Sequence, residues 1–342
     1  MRPELWIAGV MLLALVLYAL LAGADFGGGT WDLLAAGERR AEQKALIEKA
    51  LAPVWEANHV WLILVVVLLF TAFPPAFAAI SVSLFVPITL FLIGVVFRGS
   101  AFSFRAYELR GDVHQRRWGF IFSLASVLSP LFLGMIVGAV ASGRIRVEND
   151  VVRGGYFAPW LAPFPIAVGV FAAALFSFLA ATYLTNEADT DALRDDFRRR
   201  ALISGAAVGV MALVAFALSF QGAPLIREGL TARAWTWPLH GLTAISATTS
   251  FWALWRRRFA IARLAASSQV ALIVLGWGAS QYPHLLVPDL TVTNAAANQH
   301  TLNFLLGALG VGFVVLFPAL YGLYRVFKGD RAFALLDRRP RV

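Results

Sequence analysis

Glu56, Asn58 and His59 put a carboxylate, an amide and an imidazole at the mouth of an otherwise greasy helix. From Val60 to Phe73 the only polar side chains are the Trp61 indole and the Thr71 hydroxyl. A charged group at the centre of a bilayer helix costs about 2.5 to 3.5 kcal/mol on insertion scales, so an ionisable group retained near the end of one is a functional candidate. The plainer reading puts Glu56 among lipid headgroups, where that cost largely disappears. His59 lies one helical turn after Glu56, close enough to hydrogen-bond the carboxylate or relay its proton. Asp25, at the end of the first apolar run, and Arg98, at the end of the third, fall at the same predicted depth. Two carboxylates and a guanidinium at one level form either a structural ion network or the intake of a proton path; burial raises and arginine lowers a carboxyl pKa.

The elements that must position these groups are membrane helices. Hydrophobic residues make up 59% of the 342 and charged residues 14%, against about 50% and 25% in soluble domains. Apolar runs occur at about 5–24, 54–73, 76–97, 118–141, 160–184, 201–220, 237–255, 264–286 and 302–324. Each is long enough to cross a bilayer. The expected fold is all-α and polytopic, a single membrane domain of about nine transmembrane helices. A doubled arrangement would group 1–141 as a first four-helix bundle and 160–286 as a second, with 302–324 as the ninth helix. Prolines 87, 130, 165 and 318 are expected bends.

The net charge of +9 forms no continuous basic stripe and gives no sign of a nucleic-acid partner. It reads as topology. When the 29 Lys and Arg are assigned to alternate sides, 23 fall on one side and 6 on the other. The positive-inside rule puts the N-terminus outside and the C-terminus in the cytoplasm. The same asymmetry argues against cleavage of a signal peptide after Ala22-Gly23-Ala24. Trp6, Trp118, Trp160, Trp235, Trp237 and Trp255 fall near span ends as interfacial anchors. Residues 32–52 are expected to form a short cytoplasmic surface helix, and 189–200 a solvated loop. Gly27-Gly28-Gly29 lacks the lysine and preceding strand of a phosphate loop, and marks close packing or a tight exit from the span.

With no cysteine, thiolate metal sites and covalent haem attachment are excluded. Of the five histidines, His114 is expected in a loop, while His240, His284 and His300 fall near outer ends. Met11, Met135 and Met211 read as core filler. No haem or metal ligand set is expected in this chain.

In order along the chain, Asp25-Phe26-Gly27 with its following glycines, the 52–61 element with Glu56-Ala57-Asn58-His59-Val60-Trp61, Phe73-Pro74, Phe97-Arg98-Gly99 with Phe104-Arg105, Ala181-Thr182-Tyr183-Leu184, and Asn294 with Thr301-Leu302-Asn303 resemble the motifs of subunit II of the cytochrome bd family of quinol oxidases. The resemblance covers nearly the whole chain. It implies two four-helix bundles plus one peripheral helix in a bacterial plasma membrane. It also implies a non-catalytic partner of a haem-bearing subunit I, with haems b and d in that partner and quinol and O2 as substrates of the complex. Quinone or lipid, and a small accessory subunit, are further candidate associates. Family proton delivery from the cytoplasm would pass to Glu56 and Asp25, with Asn58, His59 and Arg98 beside them. There are departures: Glu56 stands where the family has Asp, Ala57 where it has Gly, His59 where Glu or Gln is usual, and Ala22 where many members carry another Asp. The alternative is a stand-alone proton-coupled transporter. Transporters place their sites at broken helices near the midplane, whereas here the charges sit near one face.

Overall fold

The computed structural model describes residues 2–51, 55–107, 113–149 and 151–328. Residues 52–54 of the second apolar run and its motif, and the basic tail from 329, lie outside the described residues. Thirteen helices follow in order: α1 (Pro3–Leu33), α2 (Arg40–Leu51), α3 (Trp55–Asn58), α4 (Val60–Ala72), α5 (Pro74–Ser83), α6 (Phe85–Tyr107), α7 (Val113–Ala141), α8 (Pro163–Glu187), α9 (Asp191–Gly222), α10 (Pro224–Thr231), α11 (Thr236–Trp255), α12 (Phe259–Gln281) and α13 (Gln299–Lys328). Two small antiparallel hairpins accompany them. In one, β1 (Arg146–Glu148) pairs with β2 (Val151–Arg153), and in the other β3 (His284–Leu286) pairs with β4 (Leu290–Thr291).

Among the described residues, seven helices are long and apolar enough to cross a membrane. The number is eight if Arg40–Leu51 and Glu56–Ala72, bent by 54°, count as one span. Every apolar run of the sequence has a helix, but two fall short of that measure. α4 has 13 residues, about 20 Å of rise against a hydrocarbon layer of about 30 Å. α11 is 20 residues long but diluted by Thr236, Thr243, Ser246, Thr248, Thr249 and Ser250.

Several expected boundaries move. α1 does not stop at Ala24 but continues to Leu33, because the glycines after Asp25 pack against neighbours instead of releasing the chain. A β-carbon at Gly27 would collide with the Phe176 carbonyl of α8, one at Gly29 with Ser126 of α7, and one at Gly28 would press on Leu51 of α2. Successive residues point about 100° apart around a helix, so three adjacent glycines admit three different partners. The third run is split by a break at Leu84 ahead of Pro87, leaving α5 against the hairpins and α6 as the long helix. The eighth run ends at Gln281, and its last residues form β3.

The expected loop at 189–200 is instead the start of α9, whose N-cap Thr190 accepts a hydrogen bond from the Leu193 N–H. Its charges are paired rather than merely solvated. Asp196 accepts from Arg39 (2.7 and 2.9 Å) and Gln43 (3.0 Å), and Asp195 from Arg257 (2.8 Å). His114 lies in the first turn of α7 rather than in a loop. Trp160 is buried, its indole donating to the Tyr156 carbonyl, while Trp6, Trp237 and Trp255 are exposed.

α1 is the centre of the bundle and touches α7, α8, α4 and α12. α13 leans on α1 and α4 and turns most of its apolar surface outward. Without water to satisfy backbone groups, helices are the form an apolar chain takes in lipid. The two ends differ. One carries the ion pairs Lys44–Asp32, Arg39–Asp196, Lys49–Asp189, Arg257–Asp195 and Arg263–Glu187. The other carries both hairpins, joined by Arg146–Asp289 and by the Val147 N–H on the Asp289 carboxylate, with the Val287 N–H tied to the Val140 carbonyl of α7.

A candidate proton site around Asp25

Asp25 lies inside α1, eight residues before its end, or about 12 Å along the axis. It is buried, and its carboxylate accepts a 2.7 Å hydrogen bond from the Asn58 amide. Asn58 is held there because α3 is a single turn, broken from α4 at His59. Arg98 of α6 is 2% exposed. Its Nε donates to Ser126 Oγ at 3.1 Å, and its guanidinium lies 5.0 Å from the Phe26 ring centroid and 5.3 Å from that of Phe122. Cation–π contact of this kind strengthens when desolvated, and the field of Asp25 also reaches Arg98. Buried ions persist only when paired and hydrogen-bonded. Asp25, Asn58 and Arg98 form one buried polar cluster.

His59 and Glu56 are placed differently. His59 is half-buried, its Nδ1 3.4 Å from the Tyr18 hydroxyl and its ring edge-on to Phe26 at 5.9 Å. Its Nε2 is buried and has no hydrogen-bond partner among the described residues. Glu56 is exposed. No hydrogen bond joins its carboxylate to His59; the two share only a backbone bond, from the His59 N–H to the Glu56 carbonyl. The one-turn spacing holds, but the break at His59 turns the imidazole inward.

Sequence reasoning missed Tyr18, Ser126 and Asp32. Asp32 is 1% exposed, paired with Lys44 at 2.8 Å and accepting from Ser123 Oγ at 2.7 Å. Its signal was its position seven residues after Asp25, two helical turns on and on the same face. That signal is visible only once α1 is known to run past Ala24. Asp25 and Asn58 line a cleft of about 100 Å³ between α1, α2, α8 and α12, which Tyr183, Glu187 and Arg263 line as well. Among the described residues no group of three His, Asp or Glu side chains gathers to hold a metal ion.

The family model described as "Cytochrome bd terminal oxidase subunit II" matches residues 3–327. A Bacillus subtilis protein, provisionally named subunit II of a cytochrome bd menaquinol oxidase, is 23% identical over 334 residues, 93% of each chain. Subunit 2 of the Escherichia coli K12 cytochrome bd-I ubiquinol oxidase is 28% identical over 181 residues, 52% of this chain and 46% of that protein. A solved bd oxidase structure from Geobacillus thermodenitrificans shares the fold, with a TM-score of 0.76 at 24% identity. The likeness covers 96% of this chain and 100% of that one.

Proposed function

The chain belongs to the cytochrome bd terminal oxidase subunit II family, and from that premise we propose that it delivers protons from the cytoplasm through Asp25 to the oxygen-reducing centre of its partner. It is a subunit of a terminal quinol oxidase in the bacterial inner membrane, acting in a complex with subunit I, and the family places the haems in that partner. The proposed haems are of types b and d, quinol and O2 are the substrates of the whole complex, and a small accessory subunit is a further associate. The haems supply electron transfer and oxygen chemistry; this chain contributes a bundle, a contact surface and a proton route.

One observation carries the reading: a buried carboxylate held by an amide, beside a buried guanidinium, in the lining of a cleft between helices. In this role Asp25 takes up a proton at its carboxylate and passes the same proton on. Asn58 fixes the carboxylate's orientation, and Arg98 supplies the buried positive charge beside it. Tyr18 and His59 extend the polar row, and Glu56 offers an exposed carboxylate on the α3 turn to the neighbouring subunit. The orientation proposed has the N-terminus outside and the ion-paired end in the cytoplasm, supported by the Lys and Arg asymmetry. The proposed bundles are residues 1–141 and 160–286 with 302–324 peripheral. This division is supported by the packing of α6 on α7, α8 on α9 and α11 on α12, and by the thin contact of α13. The stand-alone transporter reading has no comparable support.

Co-expression tests the proposal. Affinity purification of this chain is expected to bring down a haem protein, and membranes show its reduced-minus-oxidised spectrum only when both chains are made. Purification without any haem protein would overturn the reading.

A further inference from the structure

We infer that the recess where α7 ends, α8 begins and α9 ends holds the headgroup of an anionic phospholipid, with its phosphate on Arg144. This site goes beyond the proton-delivery reading and lies at the end of the bundle that carries the hairpins. The recess measures about 230 Å³, and Arg144, Pro163, Phe164, Leu218, Phe220 and Gln221 are in its lining. One water needs about 10–15 Å³ of such space, so a phosphodiester has room. The helix ends mark its depth: α7 stops at Ala141, α8 starts at Pro163 and α9 stops at Gly222. Spans that all end at one level do so at the headgroup layer, beyond the hydrocarbon core.

Charge selects the occupant. Among the described residues the Arg144 side chain pairs with no carboxylate, whereas Arg146, two residues on, is bound to Asp289 at 2.9 Å. The Arg144 backbone N–H donates to Ser142 Oγ at 3.2 Å, which fixes the base of the side chain beside the recess. A second guanidinium, that of Arg227, lies 4.6 Å from the Phe216 ring centroid and 5.2 Å from that of Phe220, and it donates to the Phe216 carbonyl at 3.1 Å. It adds positive charge on the Phe220 side. Among the described residues no carboxylate is in the lining. An arginine fork matches two oxygens of a phosphate, and the Gln221 amide offers a further donor. With no acid to receive an amine, a headgroup of net negative charge fits better than a zwitterionic one. A quinone brings no charge to offset Arg144, and free phosphate leaves Phe164, Leu218 and Phe220 uncovered. Phe220 is 67% exposed, so an acyl chain leaving the headgroup runs down along α9.

The test uses the complex purified through this chain, stripped of lipid and titrated with phosphatidylglycerol or phosphatidylcholine in native mass spectrometry. One phosphatidylglycerol per complex is expected to bind about tenfold tighter than any phosphatidylcholine. Arg144→Gln weakens that lipid about tenfold, the equivalent of about 1.4 kcal/mol. Ala217→Trp, which fills the lining while leaving the charge in place, displaces it. Arg153→Gln, on β2 and outside the lining, leaves binding unchanged. Unaltered haem content in each variant shows that assembly is kept, and where Arg144→Gln loses haem, Ala217→Trp decides. Equal binding in the unmodified complex, Arg144→Gln and Ala217→Trp overturns the inference, and so does equal affinity for the two lipids. Inorganic phosphate that displaces the lipid overturns it in favour of a soluble-anion site. Carbodiimide cross-linking of the Arg144→Lys variant to the partner subunit also overturns it, because a protein carboxylate then fills the recess.

Discussion

Replacing Asp25 by Asn keeps the volume of the side chain and a partner for Asn58 but removes the carboxylate that a proton can occupy. Relay groups of this kind contribute about 10²–10⁴ in rate. Asp25 sits about 12 Å inside the helix end, but the cleft beside it leaves room for water to carry part of the proton flux, so the lower bound is the expectation. Turnover should fall about 100-fold, or about 2.7 kcal/mol, in an oxygen-electrode assay of the purified complex at saturating quinol, with KM unchanged and a larger solvent isotope effect. The substitution also takes from Arg98 a compensating charge. Breaking a buried pair costs about 3–5 kcal/mol when the remaining ion is uncompensated, and the Ser126 bond and two aromatic faces reduce that here. Haem content and thermal stability separate the two effects. Arg98→Met added to Asp25→Asn should recover assembly, since no buried charge is left alone, yet should not recover turnover. Glu56→Gln, at an exposed carboxylate, should slow oxygen reduction less than Asp25→Asn. Normal turnover in Asp25→Asn, or full recovery in the double variant, would refute the reasoning.

Gly27→Ala forces α1 away from the Phe176 carbonyl of α8; overpacking costs about 1–3 kcal/mol, and a lower yield of assembled complex in size-exclusion chromatography is the measure. Gly9→Ala, which meets nothing within 4 Å, should have no such effect. At the opposite end, hydrogen bonding from Arg146 holds the Asp289 carboxyl below its ordinary range, partly opposed by burial and helped by the Val147 N–H. Because the folded value is depressed, this contribution is present above the unfolded value of about 4 and is lost as pH falls through the folded one. Hydrogen exchange of the Val147 amide should therefore show extra opening below that pH, and Asp289→Asn should abolish the step.

Composition alone decides that this chain lives in lipid, because 59% hydrophobic residues in runs of about 20 leave no soluble alternative. The order of its motifs identified the family, and the alternation of Lys and Arg between connections gave the expected orientation in the membrane. Glu56, Asn58 and His59 stood out because polar groups beside so apolar a helix are conspicuous in one dimension. Their roles were not legible there. Whether Gly27-Gly28-Gly29 ends a helix or packs inside one depends on what lies against it, and only α8, α7 and α2 arriving from distant sequence make continued helix the stable answer. That continuation carries Asp25 into the interior and brings Asp32 onto the same face. The break at His59 separates its ring from Glu56, and a cleft between four helices exists only once they pack. Local composition fixes what each segment can be, while burial, pairing and empty space belong to surfaces contributed by several segments at once.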